Sequence, residues 1–112
     1  MNTIKGRYDP DDWFCEVTFD GRVLDPKPSQ RLRNHSPDGF AWGYAGSGPA
    51  QLALAILLAA GVPDAVALRH YQAFKFEFLA PLARDTFTLS IDVKRWVDGQ
   101  ELKRIAAERA RG

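Results

Sequence analysis

SPDGFAWGYAGSGPAQLALAILLAAG, running from Ser36 to Gly61, joins two unlike halves. The first is glycine, proline and aromatic rings. The second, from Ala50 to Ala60, is apolar at almost every position. A helix that is apolar on every side must be buried on every side, so the segment reads as a central core helix over Pro49–Ala60. At 1.5 Å per residue, about 12 residues span about 18 Å, enough to cross a small core. Pro49 suits the first turn, where its missing N–H costs nothing. Gly48 or Ser47 then serves as the cap, and Gln51 falls at the third helical position. Gly61 followed by Pro63 is a helix stop. The glycines ahead of the helix let the chain turn sharply into it and approach a neighbour or a ligand closely.

Upstream, Thr3–Tyr8 has strand character, Asp9–Asp12 is a turn signal, and Trp13–Phe19 is rich in aromatic and β-branched residues. Asp20-Gly21 suits a tight hairpin turn into a short returning strand, Arg22–Leu24. These pieces form a small antiparallel meander. Pro26 and Pro28 exclude helix from Asp25–Gln30, which reads as a loop. Arg33–Gly39 is a second polar loop, and Phe40–Tyr44 is either a short buried strand or an extended loop. Downstream, Pro63–Ala80 reads as one amphipathic helix on Leu68, Tyr71, Phe74 and Phe78. The alternation of Phe74, Phe76 and Phe78 leaves open a break into strand. Asp85–Ser90 is a strand. Beyond it, either Ser90 caps a helix carrying Val93, Trp96 and Val97 on one face, or the alternation Phe87, Leu89, Ile91, Val93 continues as strand to the Asp98-Gly99 turn. The last segment is helical in composition, with Arg104 in reach of Glu101. The order of elements is that of a single α+β domain over 1–112. It combines a small N-terminal antiparallel sheet, a buried central helix and further amphipathic helices.

The chain of 112 residues is long enough for one core without staples. Its 15 basic and 14 acidic residues give a net charge of +1, which makes no global case for nucleic acid or an anionic surface. One cysteine excludes an internal disulfide framework, and with two histidines no metal and no cofactor is expected. The N-terminus lacks the apolar run of a secretory signal. The apolar run Leu52–Ala60 is far short of the roughly 20 residues of a membrane span. A cytoplasmic protein with no membrane association is the expectation.

The chemistry concentrates before the helix. Arg33, Asn34, His35 and Ser36 form a polar cluster, followed by Trp42, Tyr44 and Ser47. The helix start then offers the backbone N–H groups of Gly48, Ala50 and Gln51. Together they read as an anion or carboxylate site, with Arg33 as countercharge and the rings as a stacking wall. The competing reading makes Trp42 and Tyr44 core rings and the polar residues turn caps. The segment is neither a Walker loop nor a dinucleotide fingerprint. His35 and Ser36 are adjacent, so their side chains diverge, and no catalytic residue is assigned. Cys15 reads as a small packing residue and His70 as a surface or boundary residue. Lys94, Arg95, Lys103, Arg104, Arg109 and Arg111 make the C-terminal segment basic, a route to nucleic acid, although acids intersperse it.

The stretch LRNHSPDGFAWGYAGSGPAQLALAILL, Leu32–Leu58, resembles the signature of a family of small uncharacterised bacterial and phage-associated proteins, R-N-H-S-P-x-G-F-x-W-G-Y-x-G-S-G-P-A-Q-L-A-L-A. The segments YQAFKFEFLAPL and T-L-S…W, ending at Trp96, are also similar. The resemblance points to Arg33–Gln51 as the functional segment. The expectation is a small non-catalytic interaction protein, a phage or mobile-element factor that engages or inhibits a host macromolecule. Two alternatives stand beside it: a small-ligand binder or minor enzyme using Arg33–Gln51, and a nucleic-acid accessory protein.

Overall fold

In a computed structural model, which describes residues 1–9, 11 and 14–112, the central helix lies where the apolar run demands. This helix, α2, spans Ser47–Ala59, and Leu52, Ala53, Leu54, Ile56 and Leu57 are fully buried. Its cap is Gly46, not Gly48 or Ser47, so the helix starts earlier than the proline suggests. Pro49 lies in the first turn as expected, and Gln51 falls at the fifth helical position instead of the third. The helix ends as a Schellman motif. Gly61 takes φ +86°, its N–H donates to the Leu58 carbonyl, and the Val62 N–H donates to the Leu57 carbonyl. Val62 is buried against the same core.

Four strands cover this helix in the order β3-β2-β1-β4, all antiparallel: β1 Asn2–Asp9, β2 Phe14–Phe19, β3 Arg22–Val23 and β4 Thr86–Ile91. Asp20 and Gly21, both at positive φ, make the expected two-residue hairpin between β2 and β3. Trp13, and Pro10 and Asp12 of the Asp9–Asp12 turn, lie outside the described residues. The register places Ile4, Gly6, Tyr8, Cys15, Val17, Phe19, Phe87 and Leu89 on one face, toward the helices. Gly6 is required there. A Cβ on it would lie 2.1 Å from Phe87 Cε1, and the Phe87 ring meets Trp42 edge-to-face at 4.9 Å.

Two local readings need correction. Lys27–Leu32 is a short helix, α1, where prolines were expected to forbid one. Pro26 occupies the cap and Pro28 the first turn, and neither position needs an N–H donor. His70 is buried rather than at the surface, packed between α3 (Asp64–Phe74) and the last helix. The segment after α3 stays helical, as preferred over strand, but changes pitch. Lys75–Leu79 is a π-helical turn, closed by the Ala80 N–H on the Lys75 carbonyl. This turn seats Phe78 beside Phe74 and Trp96, and leaves Phe76 59% exposed. In the C-terminal third each alternative holds in part. The strand continues to Ile91, and the helix α4 then runs Val93–Ala110, capped by Asp92 on the Arg95 N–H instead of by Ser90. Val93 and Val97 anchor its first half, and the second half is exposed, Leu102 at 68%.

Candidate functional site

The residues singled out before α2 separate into two places. Gln51 is fully buried at the first. Its Oε1 accepts from the backbone N–H of His35 (2.7 Å) and Ser36 (3.0 Å), and its Nε2 donates to Ser29 Oγ (2.8 Å) and the Arg33 carbonyl (3.1 Å). One side-chain amide thus satisfies the turn between α1 and α2 and ties Arg33–Ser36 to the core helix. His35 Nε2 lies 2.6 Å from Tyr71 Oη. Burial, then the positive charges of Arg33 and Lys75, hold the imidazole below its ordinary value of 6.5. Arg33 and Asn34 are exposed beside it. The helix start offers fewer donors than expected, because the Ala50 N–H already bonds the Gly46 carbonyl and Gly48 is buried.

Trp42 and Tyr44 belong to the second place, a cleft of about 280 Å³ lined by Tyr8, Cys15, Phe40, Ala41, Trp42, Tyr44 and Arg84. None of Arg33–Ser36, Ser47, Gly48 or Gln51 lines it. Tyr8 and Cys15 face each other across β1 and β2, on the helix-facing side of the sheet. Phe40–Tyr44 is a loop, tied down by the Gly43 N–H on the Leu79 carbonyl at the end of the π-helical turn. Gly46 and Gly48 serve close approach, as expected of the glycines at the helix start. A Cβ on Gly46 would strike the Tyr44 ring at 2.4 Å, and one on Gly48 would lie 2.6 Å from Ala41 Cβ. Gly46 and Gly48 therefore seat the cleft wall on the start of α2; Ser47, between them, is exposed.

One donor in the cleft wall is unmatched among the described residues, and a second lacks a carboxylate. Trp42 is 3% exposed, and its indole N–H has no acceptor among the described residues. A buried indole N–H normally finds one. Arg84 lies over the Tyr44 ring with Cζ 5.3 Å from the centroid. Its Nε reaches the Gly43 carbonyl at 3.4 Å, and no carboxylate pairs with it among the described residues. Cys15 is exposed, not packed as expected. Its thiol donates to the Phe40 carbonyl at 3.4 Å, and desolvation pushes its pKa up, away from thiolate chemistry. Tyr8, Cys15, Phe40 and Arg84 carried no local signal, because they meet only once the sheet has closed over the loop.

Family membership rests on the region just described. A family model matches residues 9–99, from the end of β1 into α4. The chain belongs to DUF6166, a family of unknown function. No curated protein and no solved structure matches it. For this DUF6166 protein the match takes in all the cleft residues except Tyr8, the Gln51 latch and the π-helical turn, and stops short of the exposed second half of α4. There, Arg104 is engaged by Glu101 and Glu108, so part of the C-terminal positive charge is neutralised within the chain. No helix of the described residues is long and apolar enough to cross a membrane, and no group of metal-ligating side chains gathers among them.

Proposed function

We propose that this DUF6166 protein is a binding protein, and that its cleft takes an apolar or aromatic side chain of a partner protein together with a carboxylate. One observation carries this reading. The cleft joins an aromatic wall to the Arg84 guanidinium, which bonds the Gly43 carbonyl but has no carboxylate partner among the described residues, and behind that wall the buried Trp42 indole N–H has no acceptor among them. An arginine over an aromatic ring fits a planar carboxylate. At about 280 Å³ the cleft lies at or below the roughly 300–1,000 Å³ of small-molecule sites, which suits the anchor side chain of a protein better than a cofactor. The version in which the chain is a phage or mobile-element factor inhibiting a host macromolecule in the cytoplasm rests on the resemblance carried by Leu32–Leu58.

The test is titration with 3-phenylpropanoate and its uncharged alcohol, followed by the indole N–H resonance of Trp42. The acid shifts that resonance and the alcohol binds at least about tenfold more weakly. Arg84→Ala removes the difference between them. Absence of any shift with both compounds at millimolar concentration refutes the cleft reading.

A second reading has its own observation. Arg33 and Lys75 both bear on His35, and no acid among the described residues enters that set of charges. This favours a small anion at the Arg33–Gln51 segment. Inorganic phosphate shifting the His35 ring resonances, and failing to do so in Arg33→Ala, supports it.

A further inference from the structure

The sheet leaves one long edge unpaired. The Tyr8 N–H donates to the Asp85 carbonyl at 2.8 Å, so Tyr8–Asp85 is a hydrogen-bonded antiparallel pair. At period two, Gly6–Phe87, Ile4–Leu89 and Asn2–Ile91 are the others. The main-chain groups of Thr86, Thr88 and Ser90 therefore point away from β1. The Asp85 carboxylate takes the Thr86 N–H at 2.8 Å. The N–H groups of Thr88 and Ser90 have no partner among the described residues, and all three side chains are exposed. From Thr86 to Ile91 the edge contains no charge, proline or glycine, the features that usually guard such an edge.

We propose that this edge pairs with a second copy of the chain, β4 against β4, to form one continuous eight-stranded sheet across a two-fold axis at Thr88. The register is self-complementary. With Thr88 opposite its own copy, Thr86 faces Ser90 of the partner subunit, and the chain around Arg84 comes to Asp92 of the partner subunit. Thr88 exchanges both main-chain bonds with its copy. Each Ser90 N–H meets a Thr86 carbonyl, and each Asp85 carboxylate gives up the Thr86 N–H to the Ser90 carbonyl of the partner subunit. The cross-strand side chains are all hydroxyls, a favourable pairing in antiparallel sheets. Arg84, next to Asp85, stands at the start of the edge and Asp92 at its end. Antiparallel pairing brings each beside the other, and a parallel or slipped register does not. An isologous contact of this kind closes as a dimer and uses both β4 edges, and the other side of the sheet ends in the two-residue β3.

Sedimentation equilibrium of the full chain, with amide hydrogen exchange on the same samples, tests this. A concentration-dependent dimer is expected, with the Thr88 and Ser90 amides protected in the dimer and not in the monomer. Thr88→Lys sets two ammonium groups against each other on the axis and weakens the dimer by about tenfold or more, with the melt of the diluted monomer unchanged. Thr88→Pro, which removes an outward N–H that β1 does not use, does the same. A chain that stays monomeric to millimolar concentration overturns the proposal. So does a dimer whose affinity is untouched by both variants, or one in which Thr88 and Ser90 exchange freely.

Discussion

Gln51 shows how a single side chain can hold a loop that carries no regular structure. Its amide supplies both acceptor and donor capacity inside the core, and four groups on two segments depend on it. Gln51→Leu keeps the apolar character of α2 but strands the His35 and Ser36 N–H groups and the Arg33 carbonyl. Each buried unsatisfied group costs about 1–3 kcal/mol, so a loss of about 3 kcal/mol or more is expected in urea unfolding, with Arg33–Ser36 amides exchanging faster. A loss below about 1 kcal/mol would mean that water reaches the loop. His35, held by the same latch, makes a pH prediction. Its folded pKa lies below the ordinary 6.5, so the unfolded chain binds its proton first as pH falls. Stability is therefore full above about 6.5 and falls as pH drops through the folded value. His35→Gln, which keeps a partner for Tyr71, flattens the stability profile in that window. Glu101 acts lower. Hydrogen bonds from Arg104 and then Arg69 hold it at about 2, so its contribution is present above 4.5 and fades only as pH falls toward 2.

Among the elements, α4 divides at its middle. Val93 and Val97 are buried, Glu101 joins Arg69 of α3, and everything from Leu102 onward is exposed or nearly so. Exposed ion pairs contribute about 0–1 kcal/mol, so a chain ending at Ile105 loses the Arg104–Glu108 pair and should melt within a few degrees of the full chain. A large drop in the melting temperature would place structural weight on the distal turns. The elements that sequence revealed best are those whose burial is one-sided or total: α2 by its unbroken apolar run, the β2–β3 hairpin by Asp20-Gly21, and the helix stop by Gly61. Those it misread depend on partners remote in the chain. The short α1 survives its prolines because Ser29 is buried and bonded to Gln51, 22 residues away. The π-helical turn shows no local mark, since Phe74, Phe76 and Phe78 fit strand and helix alike. For the candidate site the sequence displayed Trp42 and Tyr44 but not Arg84 or Tyr8. It also grouped Arg33 and His35 with them, because proximity in sequence conceals that Gln51 draws the loop away from the rings.

At the scale of the molecule, the domain is extended, 55 × 26 × 23 Å. Its sheet joins the start of the chain to residues 86–91, and one of its two inner strands is the first to be made. β1 pairs on one side with β2, a few residues on, and on the other with β4, Asn2 opposite Ile91. During synthesis on the ribosome the hairpin halves of the sheet are available early, but β1 waits for its second neighbour until almost the whole chain has emerged. Helix α2, the most apolar segment, is complete well before then. At about 5–20 residues per second, the roughly 30 residues between its end and the end of β4 take about 2–6 seconds to make. For that interval Leu52, Leu54, Ile56 and Leu57 have no complete sheet to cover them. The order of the strands therefore sets how long the apolar helix of the nascent chain stays uncovered.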